Sequence, residues 1–240
     1  MNTLPDLLLL PGLICDARLW QAQIAALQGH IGRAVVADLT GVDSIAAMAA
    51  AALAQAPQSP SGRFALARLS MGGYVALEIM RQAPGRVAGL ALLDTSARPD
   101  TAEAMQNRRK AMTLAETDFD AVIEGLLPKL ILPARLSVAT LTGRIRDMGH
   151  AVGAQNFLKQ QTAIMGRSDS RPDLAAIRCP TLVLCGREDL ITPVAVHEEM
   201  AAAIAGAQLR VIEECGHLST LDQPTQTSAC LQTWLLDIKP

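Results

Sequence analysis

Ser70 stands between an apolar run of strand length, Phe64-Ala65-Leu66-Ala67, and a stretch in which Val75, Ile79 and Met80 recur at helical spacing. A strand that enters a helix through a tight serine-centred turn throws the hydroxyl above the sheet and aims the helix N-terminus at it. Gly72, two residues on, lets helix and strand approach closely. Two residues before Ser70, where the pattern G-x-S-x-G has its first glycine, stands Arg68. A side chain there can collide with the neighbouring strand or helix and deform the turn, swing to solvent, or pair with a carboxylate. A serine hydroxyl attacks a carbonyl only with a base beside it and an orienting group behind the base.

In open α/β sheets such groups gather at the carboxyl ends of strands. That rule selects His217, which follows the run Gln208–Ile212 by a short glycine-containing turn, Cys215-Gly216-His217. His30 ends a helical stretch after Gly29, and His150 and His197 fall inside helical patterns, so these three read as surface or capping residues. Glu188 and Asp189 follow the run Thr181–Cys185. Asp189 is the favoured acid, with Asp94 at the end of Val87–Leu93 as its rival; Asp94 alternatively holds the start of an inserted segment. Acyl chemistry also needs two N–H donors for the oxyanion. Met71, at the start of the helix, and Leu13, just after Pro11-Gly12, are placed to supply them.

The elements that must position these groups alternate. Leu7–Leu10 reads as a strand, and a helix capped by Asp16 carries Trp20, Ile24 and Leu27 as far as Gly29. The strand Ala34–Ala37 precedes a helix capped by Asp43 or Ser44, and the strand-turn-helix around Ser70 and the strand Val87–Leu93 follow. That order predicts a parallel sheet covered on both faces. From Arg98 to Arg171 no strand is evident. Helical patterns run near Thr101–Ala115, Phe119–Leu127, Leu136–His150 and Gln155–Met165, separated by Pro128, Pro133 and Gly153. Alternation returns with Thr181–Cys185, a helix with Pro193 in its first turn, Gln208–Ile212, and a last helix from Pro224. The reading is one α/β core, 1–96 and 172–240, with a helical cap or lid over 97–171.

Half of the residues are hydrophobic and the formal net charge is −2, which gives no footing for nucleic acid. No apolar run approaches the ~18 residues of a membrane helix, and Leu7–Leu10 is too short and lacks the basic lead of a signal peptide. Five cysteines without a C-x-x-C pair read as reduced thiols of a cytoplasmic protein. No metal or organic cofactor is expected.

Taken together, Leu9-Leu10-Pro11-Gly12-Leu13, Leu69-Ser70-Met71-Gly72-Gly73, Gly186-Arg187-Glu188-Asp189 with Pro193, and Cys215-Gly216-His217 resemble, in that order, the oxyanion, nucleophile, acid and histidine segments of the α/β-hydrolase superfamily. The resemblance implies an esterase-like enzyme with Ser70 as nucleophile, Asp189 as orienting acid, His217 as base, and the amides of Leu13 and Met71 as oxyanion hole. It implies a mostly parallel, six-stranded sheet, because the chain starts at what resembles the family's third strand, with the cap after the fourth strand of this chain. The substrate class is a small acyl compound, with a small or aliphatic acyl group preferred because the cap is poor in aromatics. Acyl transfer, lactone hydrolysis and carbon–carbon bond hydrolysis fit the same groups. A reading of a different class is a non-hydrolytic binding or scaffold protein whose serine turn Arg68 has spoiled.

Overall fold

The computed structural model describes residues 4–59 and 61–238. Leu7–Leu10 (β1), Ala34–Val36 (β2), Phe64–Leu69 (β3), Val87–Leu93 (β4), Thr181–Gly186 (β5) and Gln208–Ile212 (β6) form one sheet in the order β2-β1-β3-β4-β5-β6. Every pairing is parallel. The four central strands are buried along their whole length and almost wholly apolar because helices cover both faces, while the edge strands β2 and β6 are half-exposed. With a period of two, Leu7, Leu9, Ala65, Ala67 and Leu69 join one cluster with Trp20 and Trp234, on the side of Gln21–Ala26 (α1) and Pro224–Leu236 (α9). Leu8, Leu10 and Leu66 join the opposite cluster with Met48, Val75, Ile79 and Met200, from Ile45–Gln55 (α2), Met71–Gln82 (α3) and Val194–Ala203 (α7). The chain leaves β1 toward β2 on one side and returns to β3 on the other. The crevice at the carboxyl ends of β1 and β3 is therefore the topological switch point of the sheet.

Between β4 and β5 come Ala102–Ala115 (α4), Phe119–Leu130 (α5) and Ala139–Met165 (α6). Thr101 and Asp118 cap the first two by accepting from Ala104 N–H and Ala121 N–H. Gly153, at φ 76° and ψ 160°, breaks α6 where two helices were expected. Pro128 does not separate helices as expected: it lies inside α5, two residues from its end. A proline that close to a C-terminus removes one helical hydrogen bond, and the buried Leu127 and Leu130 around it hold the last turn. Pro193 stands just before α7 rather than in its first turn, and Asp16 caps a short 3-10 turn that leads into α1. A four-residue helix, Ser219–Asp222 (α8), went unread because it is too short to show a period.

The segment between β4 and β5 is bonded to the loops after β6. Leu218 N–H donates to Leu130 C=O, and the buried Asp222 carboxylate accepts from both Leu132 N–H and Gly216 N–H, at 2.9 and 2.6 Å. Among the described residues no helix is long and apolar enough to cross a membrane.

Candidate active site

The turn after β3 holds Ser70 at φ 52° and ψ −116°, a conformation that a non-glycine residue keeps only when its surroundings impose it. What imposes it is close packing. A side chain at Gly72 would begin 2.7 Å from Leu10 O and 2.8 Å from Pro11 O, so the start of α3 rests directly on the end of β1. Ser70 N–H donates to Leu93 C=O, and Thr95 Oγ1 donates to Ser70 C=O.

Arg68 neither reaches solvent nor finds a carboxylate partner. Its side chain is fully buried, 0% exposed, and none of its three guanidinium nitrogens has a hydrogen-bond partner. Burial drives its pKa well below the usual arginine value, against the opposing pull of Tyr74 and Asp94. The space it occupies is left by Gly73, where a Cβ would stand 2.4 Å from Arg68 Nη1. The turn around Ser70 is intact because a glycine five residues on takes the crowding that glycine at 68 would otherwise prevent.

His217 arrives on the loop after β6. Its Nε2 lies 2.8 Å from Ser70 Oγ, and its Nδ1 lies 2.9 and 2.8 Å from the two Asp189 carboxylate oxygens. Asp189 also accepts from Ile191 N–H, Thr192 N–H and Thr192 Oγ1, the last at 2.6 Å. Burial pushes the Asp189 pKa up, but the His217 charge and these bonds hold it below its ordinary value. Burial alone would lower the His217 pKa; the Asp189 charge and hydrogen bond, with Asp94 behind them, keep it above 6.5.

Asp94 points elsewhere. It accepts from Gly186 N–H and from the amide and hydroxyl of Ser219, tying β5 to α8 rather than holding the inserted segment. Burial, and then the charge of Asp189, push its pKa up to about 8. Glu188 accepts from Cys215 N–H at 2.9 Å. A Cβ at Gly12 would stand 3.3 Å from Ser70 Cβ, so the segment that carries Leu13 runs close beside the serine turn, and Met71 is the first residue of α3. Burial pushes the thiols of Cys15 and Cys185 up to about 12 and that of Cys215 higher still, so these cysteines stay protonated. Among the described residues no cluster of His, Cys, Asp and Glu is placed to hold a metal ion.

A family model described as "Alpha/beta hydrolase family" matches residues 7–229. The chain belongs to the α/β-hydrolase family. Among its relatives, a protein of Serratia proteamaculans provisionally named a carbamate hydrolase is 26% identical over 97% of this chain and 91% of its own length. The pimeloyl-[acyl-carrier protein] methyl ester esterase of Nitrosomonas europaea is 25% identical over 94% of each chain. The solved structure of a thermophilic esterase from Thermogutta terrifontis superposes with a TM-score of 0.89, at 32% identity, over 100% of this chain and 92% of its own. This α/β-hydrolase is thus an enzyme among hydrolases and esterases.

Several residues of the α/β-hydrolase site escaped the sequence reading. Thr192, Ser219, Asp222 and Gln160 are polar residues without a motif, and only the fold brings them to the loops they bond. His197 is the plainest correction: it is neither a surface nor a capping residue but fully buried. Its Nε2 accepts from Thr95 N–H and its Nδ1 faces Pro193 C=O, so it is a neutral imidazole. Burial pulls its pKa down to about 4. The unfolded chain, with an ordinary histidine at 6.5, therefore binds this proton more readily, and stability drops as pH falls from 6.5 through 4. His197→Gln, neutral at every pH, is expected to gain about 2 kcal/mol on the wild type between pH 7.5 and pH 5. Urea unfolding at the two pH values measures it, and an unchanged gap would refute a buried neutral His197.

Proposed function

We propose that the chain is a serine hydrolase cleaving an ester or related acyl compound, with Ser70 as nucleophile, His217 as base and Asp189 as its orienting acid. The observation that carries this reading is the hydrogen-bonded line from Asp189 through both ring nitrogens of His217 to Ser70 Oγ. In this reading Ser70 Oγ attacks the carbonyl carbon as its proton passes to His217 Nε2. Asp189 holds the other ring nitrogen and stabilises the imidazolium. The Leu13 and Met71 amides take the oxyanion charge, and the leaving alcohol collects the proton from Nε2. Water, deprotonated by the same imidazole, then releases the acyl group. The names of the curated and solved relatives, esterases among them, agree with a carbonyl substrate.

In this proposal α4–α6 form a cap over the switch-point crevice. A cavity of about 310 Å³ adjoins the oxyanion segment at Pro11 and Cys15, with Asp16, Asp38, Asn156 and Gln160 in its walls. Ser70 and His217 do not line it, so the preference for a short acyl group rests on the aromatic-poor α4–α6 segment alone. Arg68 leaves Ser70 within reach of His217, which weighs against a non-hydrolytic scaffold.

The base works only while neutral. With the His217 pKa held above 6.5, kcat/KM is expected to fall on the acid side through a midpoint above pH 6.5; a midpoint below 6.5 would contradict the assignment. The deciding experiment is labelling with a fluorophosphonate followed by peptide mapping, beside hydrolysis of p-nitrophenyl acetate, butyrate and octanoate. Label on Ser70 with faster turnover of the shorter esters supports the reading. A protein that hydrolyses these esters without being labelled at Ser70 would overturn it.

A further inference from the structure

Cys15 N–H donates to Gly12 C=O, closing a four-residue turn with Leu13 and Ile14 at its centre. Ile14 has φ 55°. A turn with a positive φ at its third residue is of the type that takes glycine or asparagine there, and a β-branched residue in that region is a clear outlier. Left to itself, this turn would rotate its central peptide so that Ile14 returned to negative φ. Besides the packing of the buried Ile14 side chain, a hydrogen bond opposes that rotation. Ile14 N–H donates to the side-chain carbonyl of Gln160, Oε1, at 3.1 Å, across 146 residues of sequence. Gln160 is itself 1% exposed. Its helix is pinned by its neighbour: Gln161 Oε1 accepts from Arg108, which is paired with Asp100, and Asp100 also holds Arg167.

We propose that Gln160 is a positioning residue for the oxyanion hole: its carbonyl holds the strained Leu13–Ile14 peptide in place and so restrains the turn backbone that presents the adjoining Leu13 amide to the tetrahedral oxygen. The proposal rests on the serine-hydrolase reading above. It makes α6 part of the catalytic apparatus even though none of its atoms touches the reacting carbonyl. A shift of α6 reaches the turn that carries the oxyanion donor through the bond to Ile14 N–H.

The test is a pair of substitutions and their combination. Gln160→Met keeps length and flexibility but removes the acceptor. It is expected to lower kcat on p-nitrophenyl acetate about tenfold, less than the 10²–10³ of losing an oxyanion donor outright, with KM held within about twofold. The inhibition constant of phenylboronic acid, whose adduct with Ser70 is tetrahedral, should rise by the same factor. In an Ile14→Gly background the turn needs no lock, because glycine adopts positive φ freely. There the same Gln160 substitution is expected to cost less than about threefold, and that non-additivity separates a lock from general packing. Amide hydrogen exchange of the unaltered protein adds a check independent of folding: Ile14 N–H should be strongly protected beside its neighbour Leu13 N–H. Equal costs in the two backgrounds, or an exchanging Ile14 amide, would overturn the lock while Ser70 labelling upheld the hydrolase reading. A protein not labelled at Ser70 would overturn both.

Discussion

Ser70→Ala should lower kcat on a p-nitrophenyl ester by about 10⁴- to 10⁶-fold with little change in stability. The hydroxyl's one bond is to His217 Nε2, while Ser70 N–H and C=O carry the bonds to Leu93 and Thr95 that hold the turn. In the proposed mechanism its loss removes the atom that forms the acyl-enzyme. On that mechanism the remaining rate reflects water attacking a carbonyl still polarised by the Leu13 and Met71 amides. If the three residues act as one unit, as proposed, Ser70→Ala combined with His217→Ala should be hardly slower than Ser70→Ala alone. Asp189→Asn should fall short of both, by about 10⁴-fold, since it misorients the imidazole but leaves the nucleophile. Single-turnover assays with thermal melts on the same samples measure all of this; Ser70→Ala activity near wild type would sink the mechanism.

Arg68→Met is expected to raise the free energy of unfolding by about 1–4 kcal/mol. Arg68 is a cation lodged between β3 and α3 with no acceptor on any of its nitrogens. Removing a guanidinium from water is costly, and here no bidentate partner offsets that cost. Methionine has a similar length, no charge and enough flexibility to fill the channel beside Gly73. Arg68→Gly would restore the usual serine-turn pattern but leave a void, so the gain should be smaller or absent. Urea unfolding of the three proteins decides between them. If Arg68→Met is instead less stable by more than about 1 kcal/mol, the attraction of Asp94 outweighs the burial of the guanidinium, and the reading of Arg68 as an uncompensated cation fails.

The alternation of apolar runs with helical spacing was enough to place all six strands, because the central strands of a parallel sheet are buried on both faces and read as nearly unbroken apolar runs, Arg68 apart. That Ser70, Asp189 and His217 would come within hydrogen-bonding distance was readable for a related reason: each sits within a few residues of a strand end, where the fold gathers its polar groups. What stayed hidden depended on long-range packing. The course of the Arg68 side chain is decided by Gly73 on the next helix. The bond from Ile14 to Gln160 spans most of the chain, and His197 sits in a helical pattern that does not reveal which face is buried. Pro128 misled because a breaker near a helix end breaks little.

Among the described residues, four non-glycine residues have positive φ: Ile14, Ser70, Asp94 and Glu214. They follow β1, β3, β4 and β6, all on the same rim of the sheet. At roughly 1–3 kcal/mol each, their combined strain is comparable with the whole net stability of an ordinary domain. Selection for heat tolerance alone should therefore be drawn to this rim. Glycine or asparagine at Ile14 or Glu214 would be early winners, and the survivors of such a screen would have to be counter-selected for turnover, because the cheapest route to a hotter melting point runs through the loops that shape the site.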